Sequence, residues 1–199
     1  MRKVYVFWDN SNIYISAQNA LQTLGRRNSG IRIDFENLLK LAIAGRPFAR
    51  GYCVGSVPPE LWAVWNELAR KTGIKPELFE RGAESGKEQA VDQALQVQML
   101  RALADELNPQ IAVLLTGDGK GYHDGIGFHA DLKRLHDKGW SIEVLSWDKS
   151  CASALKTWSS EVGVFIRLDD YINSVVYEQG TTNVKSLNLK NRPRAKSND

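Results

Sequence analysis

Strand-sized apolar runs alternate along this chain with stretches of helical periodicity, and that alternation restricts the fold more than any other feature. Val4-Tyr5-Val6-Phe7-Trp8 and Ile111-Ala112-Val113-Leu114-Leu115 are near-continuous apolar runs, the pattern of strands covered on both faces. Leu38, Leu39 and Ile43, then Leu61, Trp62, Trp65 and Leu68, then Val91, Leu95, Met99 and Leu103 recur at helical spacing. Strands are expected over 3–8, 49–54, 76–79, 111–116, 140–147 and 164–167. Helices are expected from Ser11 or Asn12 to about 24, from Asp34 as cap to 44, and from Pro58-Pro59 to about 71. Further helices are expected from about 90 to 107 and over 128–138, 149–160 and 168–176. The order predicts an α/β fold, a central and mostly parallel sheet flanked by helices.

The two strongest strands stop the same way. One ends at Asp9-Asn10-Ser11-Asn12, the other at Thr116-Gly117-Asp118-Gly119. Neighbouring strands would bring those acids to one edge, and open α/β sheets bind ligands at the carboxyl edge. Asp92, near the first turn of the 90–107 helix, shares a face with Leu95, Gln96 and Met99. An acid on a mostly inward face is costly unless paired or metal-bound. Gathered carboxylates repel one another, and hard oxygen donors suit Mg²⁺ or Mn²⁺. Asp124 is a candidate fourth carboxylate.

Each of these residues also has a plain structural use. Asp9 and Asn12 suit a helix cap, Asp92 suits a helix dipole, and Asp118-Gly119 suits a turn. Several metal and phosphate motifs are absent. Lys120 is followed by Gly121 rather than Ser or Thr, so the Gly-rich stretch is no P-loop. The three histidines, His123, His129 and His136, do not cluster with cysteines at zinc-ligand spacing. A phosphatase using Asp9 as nucleophile would want a second Asp two residues on, where Ser11 stands.

The apolar runs are too short to span a membrane, and the N-terminal run is too short for a signal-peptide core. A cytoplasmic protein with two reduced, buried thiols, Cys53 and Cys151, is expected. The net charge is +3. Residues 181–199 hold five cations and one acid, which leaves the rest of the chain at −1. Composition therefore predicts one domain over 1–178 and a basic, unpacked tail over 179–199, either a loose holder of phosphates or a solubilising end with no partner.

Val6-Phe7-Trp8-Asp9-Asn10-Ser11-Asn12, Lys87-Glu88-Gln89-Ala90-Val91-Asp92 and Thr116-Gly117-Asp118-Gly119 occur in a recognisable order. With Phe128, Leu132, Leu135 and Gly139-Trp140 before a closing strand, they resemble the NYN domain, in the LabA-like branch of the PIN-like nuclease superfamily. The resemblance covers roughly residues 3–172. It implies a PIN-like, Rossmann-like single domain and a metal-dependent endoribonuclease. Asp9, Asp92 and Asp118 match the family's acidic positions, with Mg²⁺ or Mn²⁺ as cofactor and RNA as partner. Asn12, Lys87, Lys120, Tyr122, Arg26 and Arg27 are candidate RNA contacts, and a homodimer stays open. Two family acids are missing here, where Gly127 and Gln98 stand; Asp124 and Asp131 are the candidate replacements for the first. A rival expectation follows: an RNA-binding or regulatory member with little or no cleavage.

Overall fold

The computed structural model describes residues 1–26, 29–57, 61–80, 87–117, 125–180 and 184–196; the side chains of 80 and 87–90 are not among them. In chain order the elements are β1 (Val4–Asp9), α1 (Asn10–Thr23), β2 (Ile31–Ile33), α2 (Phe35–Ile43), β3 (Phe48–Val57) and α3 (Trp62–Thr72). There follow β4 (Pro76–Glu80), α4 (Lys87–Asp105), β5 (Ile111–Leu115), α5 (Phe128–Asp137), β6 (Ser141–Ser146) and α6 (Ser153–Val162). The chain closes with β7 (Val164–Arg167), a 3₁₀ turn (Leu168–Tyr171), α7 (Ile172–Val175) and β8 (Val176–Glu178).

Six strands form one parallel sheet in the order β4-β3-β1-β5-β6-β7. All residues of β1, β5 and β6 are buried, as their continuous apolar runs require. Alternate side chains of β1 serve two cores. Val4, Val6 and Trp8 pack with Ile13 and Leu21 of α1, Leu38 of α2, and Trp65 and Leu68 of α3. Tyr5 and Phe7 pack with Leu95 and Met99 of α4, Leu132 of α5 and Leu155 of α6. Each fully buried large side chain stabilises the fold by roughly 1.5–3 kcal/mol. Cys53 and Cys151 are buried thiols outside any disulfide, as expected. No helix of the described residues is long and apolar enough to cross a membrane.

The structure departs from the sequence expectations in three places. A small antiparallel sheet pairs β2 with β8 in register Ile31↔Glu178 and Ile33↔Val176. Three-residue strands carry too little periodicity to read. Trp62, expected on a buried helical face, is 59% exposed, while Trp65 and Leu68 of the same stripe are buried. The stripe runs past the top of the core at the first turn of α3.

The third departure is the tail. Residues 184–196 lie against the domain, so the expectation of an unpacked segment over 179–199 is corrected for that part. Leu187 and Leu189 pack on the α1–α2 core. The Arg192 guanidinium is buried, 2.7 Å from Glu143 of β6, and its Nε donates to the Leu41 carbonyl at 3.0 Å. Arg46 holds the same carboxylate at 2.6 Å, and the Ala195 amide donates to it at 2.9 Å. Composition treated the cations as solvated; a buried acid in the middle of β6 instead captures one of them. Burial pushes the Glu143 carboxyl up, but the Arg46 hydrogen bond and the Arg192 and Arg46 charges override it and hold it below its ordinary value. The strap ends near Ser141, whose hydroxyl donates to the Lys196 carbonyl at the amino edge of the sheet.

Candidate active site

Strand order reverses direction between β1 and β5: the chain builds β1, β3 and β4 to one side, then β5, β6 and β7 to the other. The crevice at such a switch point, beyond the strands' carboxyl ends, is where open α/β sheets hold ligands. Trp8 pairs with Leu115 in the last registered step between β1 and β5. Asp9 is the next residue on one strand and Thr116 the next on the other, on rails roughly 5 Å apart.

Asp9 is 1% exposed and caps α1. Its Oδ1 accepts from the Asn12 backbone amide at 3.1 Å, and its Oδ2 accepts from the Asn12 side-chain Nδ2 at 2.5 Å. The sequence left the cap open among Asp9, Ser11 and Asn12 and offered the Asn12 amide to a ligand. The structure gives the cap to Asp9 and turns the Asn12 amide onto that same carboxylate. Capping and ligand holding are compatible, because each carboxylate oxygen accepts from more than one direction.

Other contacts fix the surroundings. The Ser11 hydroxyl accepts from the buried Ser56 amide at 3.1 Å, tying α1 to β3. The Ser146 hydroxyl donates to the Gly117 carbonyl at 3.1 Å, tying the ends of β6 and β5. The Trp147 indole donates to the Ile13 carbonyl at 3.0 Å. A Cβ built on Gly117 would sit 2.0 Å from the Asn12 carbonyl oxygen and 2.5 Å from the Ser16 hydroxyl. The backbone leading to residue 118 therefore presses against the first turns of α1, beside Asp9. The absence of a side chain at Gly117 makes room for the protein's own helix.

Asp92 lies half-buried in α4, next to Val91, which packs in the core with Phe7. It stands four residues before Gln96, so the two share a helical stripe. The Gln96 side chain accepts from the Gly127 amide at 3.2 Å. The stripe that carries Asp92 thus faces the connection between β5 and α5. Lys87 is the first residue of α4, at the same end of that helix.

Asp118, Lys120, Tyr122 and Asp124 lie outside the described residues, as do Arg27 and the Lys87 side chain. The structure therefore places Asp9 and Asn12 at the β1–β5 switch point and the Asp92 stripe beside the connection between β5 and α5. Arg26 is committed elsewhere, its guanidinium donating to Asn173 at 2.9 Å. Among the described residues no group of three His, Cys, Asp or Glu side chains is gathered for a metal ion. In kind the donors fit a hard cation: Asp9 supplies a buried, oriented oxygen pair.

Asp131 was a candidate substitute for a missing acid. It is 2% exposed in the first turn of α5, its Oδ1 paired with Arg134 at 2.7 Å and its Oδ2 without a hydrogen-bond partner. Burial pushes this carboxyl up against the opposing Arg134 charge. His129 and His136 pack on Trp158, at 4.8 and 6.0 Å between ring centres.

Comparison with solved structures returns the crystal structure of a protein of unknown function from Vibrio parahaemolyticus RIMD 2210633. It has 12% identity and a TM-score of 0.61, with 85% of this chain and 94% of that one covered. At that identity the likeness concerns the fold alone. Comparison with curated proteins gives no match. The family model described as NYN domain matches residues 3–166 and so spans the sheet, the switch point and all three acid-bearing segments. The chain belongs to the NYN domain family, within the PIN-like nuclease superfamily.

Proposed function

We propose that this NYN protein is a cytoplasmic, divalent-metal-dependent endoribonuclease. The observation that carries the reading is the buried Asp9 carboxylate at the switch point, oriented through both oxygens by Asn12. Asp9, Asp92 and Asp118 would hold Mg²⁺ or Mn²⁺, with Asp124 as a further donor. A bound ion of this kind supplies Lewis acidity and lowers the pKa of a coordinated water. The chain's own part is placement. Asn12 fixes the Asp9 carboxylate. Lys87 and Lys120 neutralise flanking phosphates, and Tyr122 stacks a base. No side chain need act as nucleophile.

Purified protein incubated with structured and unstructured RNAs should cleave in Mn²⁺ or Mg²⁺ and stop in EDTA. Asp118→Asn and Asp9→Asn should fold and lose cleavage. Wild-type rates in either variant, with a contaminating nuclease excluded, overturn the assignment. A second reading is an RNA-binding member without cleavage. It is favoured by Gly127, which stands where the family acid is missing and spends its amide on Gln96. RNA binding with no metal-dependent product in any condition selects that reading.

A further inference from the structure

A cavity of about 340 Å³ opens beyond the carboxyl ends of β6 and β7, under the second half of α1. Asn19, Thr23 and Leu24 of α1 and its end form one wall; Trp147, Arg167 and Asp170 form the floor and the opposite rim. The volume falls in the roughly 300–1,000 Å³ range of small-molecule sites. It lies on the same edge of the sheet as Asp9, two strand spacings or roughly 10 Å from the β1–β5 crevice. Nothing in the proposed cleavage step uses it.

Its chemistry narrows the occupant. Lys149 and Arg167 face Asp148, Asp169 and Asp170, and Lys156 is spent on Asp148 at 2.8 Å. The rim carries no surplus of positive charge, so a phosphate gains little there. Leu24 is exposed and offers apolar surface, while the Trp147 indole is buried beneath the floor, its N–H bonded to Ile13. Arg167 is half-exposed, and the acids Asp148 and Asp170 stand 3.9 Å from it, beyond hydrogen-bonding distance. Asn19 is exposed and carries both an amide donor and an acceptor; Asp170 is 61% exposed and accepts. Unstacked RNA bases are recognised in this manner, stacked on aromatic or guanidinium planes and hydrogen-bonded along their edges.

We infer that this cavity binds one unstacked nucleobase of a single-stranded RNA, flanking the position that lies at Asp9. The inference rests on the nuclease reading for its choice of ligand, and its test is separate from cleavage. Each of the four ribonucleosides, which carry no phosphate, is titrated at millimolar concentration into the isotope-labelled full chain. At least one should shift the Trp147 indole N–H resonance. Asn19→Trp, which fills the cavity from an exposed helical position, should abolish that shift at an unchanged melting temperature. It should also weaken binding of a short single-stranded RNA about tenfold, the effect of one stacked base. Arg167→Ala should weaken it in the same direction. An unmoved Trp147 resonance with all four nucleosides overturns the proposal, as does unchanged RNA affinity in a folded Asn19→Trp. If nucleosides bind but the wild type never cleaves RNA, the cavity stands and the nuclease reading falls. If the wild type cleaves and the resonance stays still, the reverse holds.

Discussion

Asn12 spends both its amides on Asp9, so its contribution to the site runs through that carboxylate. Asn12→Ala keeps the backbone donor and removes the side-chain one. It should fold normally, and the Mn²⁺ concentration needed for half-maximal cleavage should rise about 10–100-fold, as when other outer-shell partners are removed. Two buried acids give opposite pH signatures. Asp131 has its folded value raised by burial. Its contribution is fully present below the unfolded value of about 3.9 and is lost as pH rises through the folded value. Asp131→Asn should therefore be the more stable protein at neutral pH, with the gain vanishing near pH 4, as read by melting temperature. Glu143 is held low by Arg46 and Arg192 against its burial. Its contribution is present above the unfolded value of about 4.3 and is lost as pH falls through the folded one. Acid should loosen the strap before the rest of the domain.

The strap from 184 to 196 and the first turns of α1 decide how the secondary elements are held together. Arg192 is one of two cations on a fully buried acid, and removing one partner of such a set costs about 3–5 kcal/mol. Arg192→Met, or a chain ending at 183, should lower the melting temperature by roughly 6 °C or more for a domain of this size. An unchanged melting temperature would return the tail to the unpacked segment that composition suggests. A Cβ at Gly117 would meet backbone, 2.0 Å from the Asn12 oxygen, so α1 cannot give way by a rotamer change. Gly117→Ala should cost about 1–3 kcal/mol as overpacking does. It should also depress cleavage, because the same shift displaces the helix that Asp9 caps. The α2 helix is the counter-case. Asp34 capping through the Asn37 amide at 2.8 Å was legible from the sequence because a cap is a local contact.

For the whole molecule, the sheet order β4-β3-β1-β5-β6-β7 creates one crevice, and β1 enters it ending in a carboxylate. Apolar runs and helical periods carry the α/β class, the parallel sheet and most element positions, because side-chain periodicity reflects local geometry. Three ordered motifs carry the family. That β1 ends in an acid was legible too, and such a buried carboxylate needs a partner. What the residues do to each other was not. That Asn12 serves Asp9, that Gly117 accommodates α1, and that Glu143 takes Arg46 and Arg192 are contacts between residues close in space. All but the first join residues far apart in sequence, and the first depends on which residue begins the helix. The two-residue offset between Asp9 and Ser11, and the choice of one arginine among several in a basic tail, cost almost nothing locally. Only packing against the rest of the chain separates these alternatives, so the tertiary structure decides them where periodicity and composition cannot.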